Sequence, residues 1–155
     1  GTLRVTSVDG IERPGRVPVD VAVGVLVERD AQGCEGRFLL TSRPQGKVYA
    51  GYWEFPGGKV EAGESVFQAL QREFEEEIGV RIVSAEEWCG VEHVYPHAHV
   101  RLHFFISREW QGLPQSLEGQ ALAWQGSVGV EPVLPATIPL LEWLDRLRFG
   151  ELAGG

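Results

Sequence analysis

The stretch REFEEEIGV, residues 72–80, sets Glu73, Glu75, Glu76 and Glu77 just ahead of Gly79. A glycine there suits the left-handed residue that closes a helix. The acids therefore crowd the carbonyl end of that helix, which already carries partial negative charge. Glu73 also meets Glu76 and Glu77 at i+3 and i+4, and each like-charged pair costs roughly 0.2–0.5 kcal/mol. On a helical projection Glu73, Glu76 and Glu77 share one arc beside the apolar stripe, while Glu75 points the opposite way, toward solvent. Converging carboxylates are the ligands that a hard divalent cation such as Mg2+ takes, along with waters and substrate phosphates. A cation would remove the repulsion and offset the dipole. The competing reading is a solvated acidic helix face, which is what most glutamate runs are.

The elements that must position these acids are legible around them. Ser65 followed by Gln68 is a capping-box pattern, and Val66, Leu70, Phe74 and Ile78, with Phe67 beside them, form one apolar stripe. Ahead of this helix, PQGKVYAGYWEFPGGKVEAGE (44–64) reads as a long glycine-rich loop with a short apolar piece, YWEF. Loops of that length are usually functional or disordered, and the aromatics argue against disorder. Further upstream, Val17, Val19, Val21, Val23, Val25 and Val27 fall on one parity and Ala22, Gly24 and Leu26 on the other. That pattern predicts a strand buried on both faces. A turn (28–36) and a strand (37–43) follow it; strands over 82–95 and 99–107 and a short one over 121–126 follow the helix. The last segment, TIPLLEWLDRLRF (137–149), reads as a helix with Thr137 able to cap it and Pro139 in its first turn. The order of elements predicts an α/β sandwich with a mixed sheet. We expect one domain over 17–150, a tail, short added strand or extension over 1–16, and a C-terminal tail over 151–155.

The length of 155 residues suits one domain that buries a core without disulfide or metal staples. A net charge of −8 disfavours binding to polymeric nucleic acid or an anionic membrane, yet leaves room for a small phosphate ligand beside a cation. Cys34 and Cys89 make neither a disulfide framework nor a zinc motif, which favours a reducing, cytoplasmic setting. No stretch is apolar enough for a membrane span and no signal peptide is visible. The chain begins at Gly1 and contains no Met, so its first residues are read as added or trimmed.

The spacing from Gly58 through Glu64 to REFEEEIGV, G-x5-E-x7-R-E-F-x-E-E-x-G-V, resembles the Nudix hydrolase signature at every specified position. The resemblance implies the Nudix fold, an α/β/α sandwich around a central mixed sheet, and divalent-metal-dependent hydrolysis of a nucleoside diphosphate linked to a further group. It implies Glu73, Glu76 and Glu77 as metal ligands, a further oxygen from the carbonyl of Gly57 or Gly58, and Mg2+ as the cofactor, with Mn2+ able to substitute. Arg72 would hold Glu73 in place and Glu64 would tie the loop to the helix, with Gly58 and Gly79 as structural positions. Lys59 matches a position favouring phosphate contact, and Arg43 is a second phosphate candidate, each against the alternative of a plain surface cation.

Beyond the signature, VAVGVLV, SRP, WEFPGGKVEAGES, LEGQALAW and LPATIPLLEWL are similar to the MutT branch over roughly residues 18–147. That branch cleaves nucleoside triphosphates to monophosphate and pyrophosphate, clearing modified or excess nucleotides. Glu118 matches a glutamate that assists the metal or the attacking water. Val19 and Val21, with Val23, match positions near the nucleoside, though any core strand carries such valines. Thr137 stands where MutT proper has a base-reading Asn and the similar CTP pyrophosphohydrolases have an Asp. A hydroxyl lacks the paired donor–acceptor face of an amide, so oxidised-guanine specificity is in question, and Thr137 can also be a plain N-cap. The partner implied is a small-molecule nucleotide, with the protein a monomer or homodimer. Alternatives are an ADP-ribose or dinucleotide polyphosphate hydrolase and a non-catalytic nucleotide-sensing module. His93, His97, His99 and His103 share one parity and could line one side of a hairpin, as a transition-metal site or a polar sheet face.

Overall fold

Strand β1 (Val19–Arg29) is the spine of the fold because both of its side-chain parities are apolar. Val23, Val25 and Val27 enter one core with Phe104, Leu134, Leu140 and Leu144. Ala22 and Leu26 enter a second core, on the opposite face, with Leu70, Phe74 and Ile78. The computed structural model describes residues 18–29, 32, 35–94, 96, 99–126 and 129–147. The expectations placed on residues 1–16, Val17, Cys34, His97 and 151–155 lie outside the described residues.

After β1 come β2 (Glu35–Ser42), β3 (Trp53–Glu54), β4 (Gly57–Lys59), α1 (Val66–Ile78), β5 (Arg81–Val94), β6 (His99–Gln111), β7 (Leu122–Gln125), a 3-10 turn (Pro135–Thr137) and α2 (Ile138–Asp145). β6 runs parallel to β1, in register from Val19↔Val100 to Leu26↔Ser107, and forms an antiparallel pair with β5. The other edge of β1 is shared: Val21, Ala22 and Val23 pair with β4, and Val27 and Arg29 with β2. β2 in turn carries β3 and β7, both antiparallel. α1 covers one face of this mixed sheet, and α2 with its 3-10 turn covers the other, which is the α/β/α sandwich expected.

α1 forms where the sequence places it. The Ser65 hydroxyl accepts the Gln68 N–H at 3.1 Å and the Gln68 side chain accepts the Ser65 N–H at 2.8 Å, so the capping box is complete. Such a cap contributes about 1 kcal/mol. Gly79 closes the helix at φ 68°, a left-handed conformation open to glycine without steric cost. Leu70, Phe74 and Ile78 are fully buried, each contributing roughly 1.5–3 kcal/mol. The helix lies close to β1 because Gly24 has no side chain: a Cβ there would sit 2.7 Å from Phe74 Cζ.

Several expectations need correction. The 44–64 loop contains β3 and β4, which are too short to show alternation, and glycine-rich β4 has a composition depleted in strands. β1 and β2 extend into the expected turn, and β6 continues to Gln111. The last helix starts at Ile138, one residue later than expected, and Thr137 makes no side-chain cap. A capping residue needs an extended backbone, whereas Thr137 is helical (φ −81°, ψ −27°) because the 3-10 turn runs straight into α2.

The three described histidines, His93, His99 and His103, do not line one side of the hairpin. His93 lies opposite Val100, and His99 opposite Val94, so the turn puts His93 on one face and His99 and His103 on the other. The imidazole of His93 is half-buried, and burial lowers its pKa. On the opposite face His99 meets Glu92 at 3.2 Å and His103 meets Asp20 at 2.9 Å, while Arg101 links Glu92 and Asp20. Glu92 is nearly inaccessible, so its carboxylate depends on those partners. We expect Arg101→Met to cost roughly 1–3 kcal/mol in a urea melt, since it strands a buried charge. A loss below a few tenths would make the pair a surface ornament. Among the described residues, no helix is long and apolar enough to cross a membrane.

Candidate active site

β4 and α1 meet through two glycines. Gly57 pairs with Val23 and Gly58 with Ala22. A Cβ at Gly57 would lie 2.0 Å from the Ala22 carbonyl oxygen, and one at Gly58 would lie 2.2 Å from the Glu73 carboxyl carbon. The absent side chain of Gly58 thus makes the space that the Glu73 carboxylate occupies, and that of Gly57 lets β4 approach β1. One helical turn on, Glu77 reaches toward the same strand, and the Gly57 backbone N–H is directed at its carboxylate.

Glu77 is the most perturbed acid of the site. Burial pushes its pKa up to about 9, with the charges of Glu73, Glu118 and Glu54 adding to the rise and the Gly57 hydrogen bond opposing it. Its Oε2 is buried without a hydrogen-bond partner. Burial likewise raises Glu73, against Arg72, which lowers it, while the charges of Glu76 and Glu118 raise it further.

Arg72 is the hub. It grips Glu64 in a bidentate pair (2.7 and 3.1 Å), donates to Glu73 Oε1 at 2.8 Å and to the Lys59 carbonyl at 2.9 Å, and reaches Glu76 at 3.4 Å. Glu64 also accepts the Glu61 N–H at 2.8 Å. These bonds, that to Arg72 first, hold its carboxyl below the usual range. The loop-to-helix tie expected of Glu64 and the hold on Glu73 expected of Arg72 are therefore one network. Glu76 and Glu75 are exposed.

The carbonyl end of α1, where the acids looked misplaced, is satisfied by the loop that carries Glu118. The Gln115 N–H donates to the Ile78 carbonyl at 2.9 Å, and the Glu77 carbonyl accepts from the Leu117 N–H at 3.1 Å and from Gln120 Nε2 at 2.9 Å. Three donors thus meet the negative end of the helix dipole. The docking holds Glu118, itself exposed, where its charge acts on both Glu73 and Glu77.

Two participants escape sequence reading. Glu54, in β3, is a partly buried acid whose pKa burial raises; Arg43 opposes this with bonds of 3.1 and 3.2 Å. The signal was an acid between Trp53 and Phe55, which in a buried segment demands a counter-charge. Gln120 had no signal, since a neutral amide in a loop is unremarkable until its partners are known. Arg43, a candidate for phosphate or a plain surface cation, is engaged with Glu54 and, through Nε, with the Val48 carbonyl at 2.6 Å. Lys59 is exposed on β4 opposite Val21, with its carbonyl held by Arg72. Val19, Val21 and Thr137 are not gathered with the acids: Val21 packs on the α2-side core, Val19 shares its parity, and Thr137 is buried next to Ala136 of that core.

The residues fit a divalent cation in kind. They supply hard oxygen donors, one buried carboxylate oxygen with no partner, and a raised pKa that a cation would relieve. Among the described residues, no three His, Cys, Asp or Glu side chains stand close enough together to cage an ion. Arg72 holds Glu73 and Glu76 in this arrangement.

The NUDIX domain matches this chain over residues 18–146. An 8-oxo-dGTP diphosphatase of Haemophilus influenzae is 44% identical over 106 residues, covering 68% of this chain and 74% of that protein. A CTP pyrophosphohydrolase of Escherichia coli is 38% identical over 128 residues, covering 81% of this chain and 91% of that protein. The crystal structure of a MutT NUDIX hydrolase from Burkholderia pseudomallei superposes with a TM-score of 0.71 at 32% identity, covering 82% of this chain and 98% of that one.

Proposed function

The chain belongs to the Nudix hydrolase family, and from that premise we propose that it hydrolyses a modified or excess nucleoside triphosphate to the monophosphate and pyrophosphate. The observation that carries this reading is Glu77, half-buried, with one buried carboxylate oxygen that has no partner and a proton affinity raised by the charges of Glu73, Glu118 and Glu54. Such a concentration of carboxylates suits a cation and its phosphates rather than a neutral ligand. Glu73, Glu76 and Glu77, with Glu118 and a carbonyl of the Gly57–Gly58 turn, are the ligands we assign to Mg2+, for which Mn2+ can substitute. When bound, the cation would supply Lewis-acid charge that offsets the negative charge developing on the phosphates.

The chain's own residues position the rest. Arg72 and Glu64 fix strand β4, Gly57–Lys59, against α1 and hold Glu73 in place. Lys59, exposed at the rim, is available to a phosphate. Glu118, at the solvent side, can accept a proton from the attacking water. Arg43 opposes the rise that burial gives the Glu54 carboxyl. The setting we propose is the cytoplasmic nucleotide pool.

The base is read on the α2 side, where Val19, Val21 and buried Thr137 lie. Relatives named for 8-oxo-dGTP and for CTP both match, and Thr137 offers one hydroxyl that is not spent on a helix cap. We expect Thr137→Asn to raise kcat/KM for oxidised guanine relative to cytidine triphosphate by about tenfold, because an amide supplies a paired face. An unchanged substrate profile would remove Thr137 from the base pocket. The test of the whole reading is a panel of plain, oxidised and methylated nucleoside triphosphates, dinucleotide polyphosphates and ADP-ribose, with products analysed. Release of pyrophosphate from a triphosphate supports it; turnover confined to ADP-ribose or dinucleotides refutes it.

A further inference from the structure

We propose that Gln120 is a positioning residue that sets the separation between Glu118 and Glu77 by bonding to the backbone of both. The inference rests on the role assigned to Glu118 above. The amide is buried at 6% exposure. Its Nε2 donates to the Glu77 carbonyl at 2.9 Å, and its Oε1 accepts the Glu118 N–H at 3.0 Å and the Ser116 hydroxyl at 3.0 Å. One planar group thus joins the last turn of α1 to the loop, at the two residues whose carboxylates act on each other.

The chemistry requires an amide. A donor must face the Glu77 carbonyl and an acceptor must face the Glu118 N–H, and a side-chain amide carries both on one plane. Asn is one methylene too short to span the same two partners. Methionine preserves the length and neither bond. Glutamate preserves the acceptor end and points an oxygen at the Glu77 carbonyl. The loop keeps its other ties to α1, through the Gln115 and Leu117 amides. Loss of Gln120 therefore frees Glu118 more than it frees the loop as a whole. A misplacement of about 1 Å in a catalytic group can cost on the order of 100-fold, and partial retention of the loop makes the expected loss smaller.

The test combines Gln120→Met and Gln120→Glu with Glu118→Ala, using the nucleoside triphosphate that the full-length protein turns over best. Both Gln120 variants should lower kcat about tenfold with KM changed less than twofold. In the Glu118→Ala background neither should lower it further, since the group being positioned is gone. Full additivity overturns the proposal, because a generally loosened fold would cost the same in either background. Wild-type kcat in both Gln120 variants, with Glu118→Ala impaired, also overturns it and leaves the role of Glu118 standing. Wild-type kcat in Glu118→Ala overturns both. A measurement on the unmutated chain keeps the idea testable if a variant does not fold: the Glu118 amide proton should be protected from solvent exchange, and free exchange would sink it.

Discussion

Glu77→Gln is expected to lower turnover by roughly 10²–10³-fold at saturating metal while making the metal-free protein more stable than the wild type. The two effects have one cause. Glu77 is held largely out of water, its Oε2 has no partner, and three other carboxylates raise its proton affinity. Without a cation, ionising it costs folding free energy. The amide keeps the shape and removes the charge. Metal-free thermal unfolding near pH 8 should show the variant ahead by roughly 2–4 kcal/mol, allowing for the mutual influence of the acids. Near-wild-type turnover would remove Glu77 from the metal site, and a less stable variant would show that its charge is already compensated.

The pH dependence has a definite sign. An unfolded glutamate titrates near 4.3, whereas folded Glu77 titrates at about 9. Between those values the folded state holds a proton that the unfolded state has released. The metal-free protein should therefore lose stability as pH rises through this window and level off above it. The Gln variant should lack this slope, and a saturating divalent cation should suppress it in the wild type.

What was legible in the sequence was what depends on local spacing. Ser65, Gln68 and Gly79 bound α1 because caps and left-handed closure are chemical properties of single residues. The double-sided burial of β1 follows from two apolar parities. The arc of Glu73, Glu76 and Glu77 follows from helical geometry, although the partial burial of Glu77 and exposure of Glu76 do not, since tertiary packing decides them. Sequence periodicity fails at turns: it put four histidines on one side, and the hairpin register between β5 and β6 divided those described. It also fails where partners are distant. The ion pair of Arg43 was not legible, because Glu54 is its neighbour only across the β2–β3 pair. The anions at the end of α1 call for compensation by spacing alone, and the carbonyls there are met by a loop some 40 residues downstream in the chain.

Arg72→Lys is expected to reduce turnover by roughly 10–100-fold, the range for residues that orient metal ligands, although it preserves the charge. The guanidinium serves Glu64, Glu73, Glu76 and the Lys59 carbonyl together, using Nε and both terminal nitrogens in separate directions. An ammonium offers three donors from one point on a flexible stem, so it can satisfy Glu64 or Glu73 but cannot span both and the β4 turn. The arrangement that keeps Glu73 beside Gly58 would then open. Stability should fall by about 1–2 kcal/mol, the worth of one or two charge-assisted bonds, which a urea melt reads directly. Mn2+ affinity, followed by electron paramagnetic resonance, should weaken alongside turnover, because Glu73 would no longer be held in place. A lysine variant within twofold of wild type in turnover and Mn2+ affinity would reduce Arg72 to a source of charge. The geometry argues against that outcome: charge alone does not require five oxygen contacts, and a fork that connects the glycine turn, the loop and the helix does.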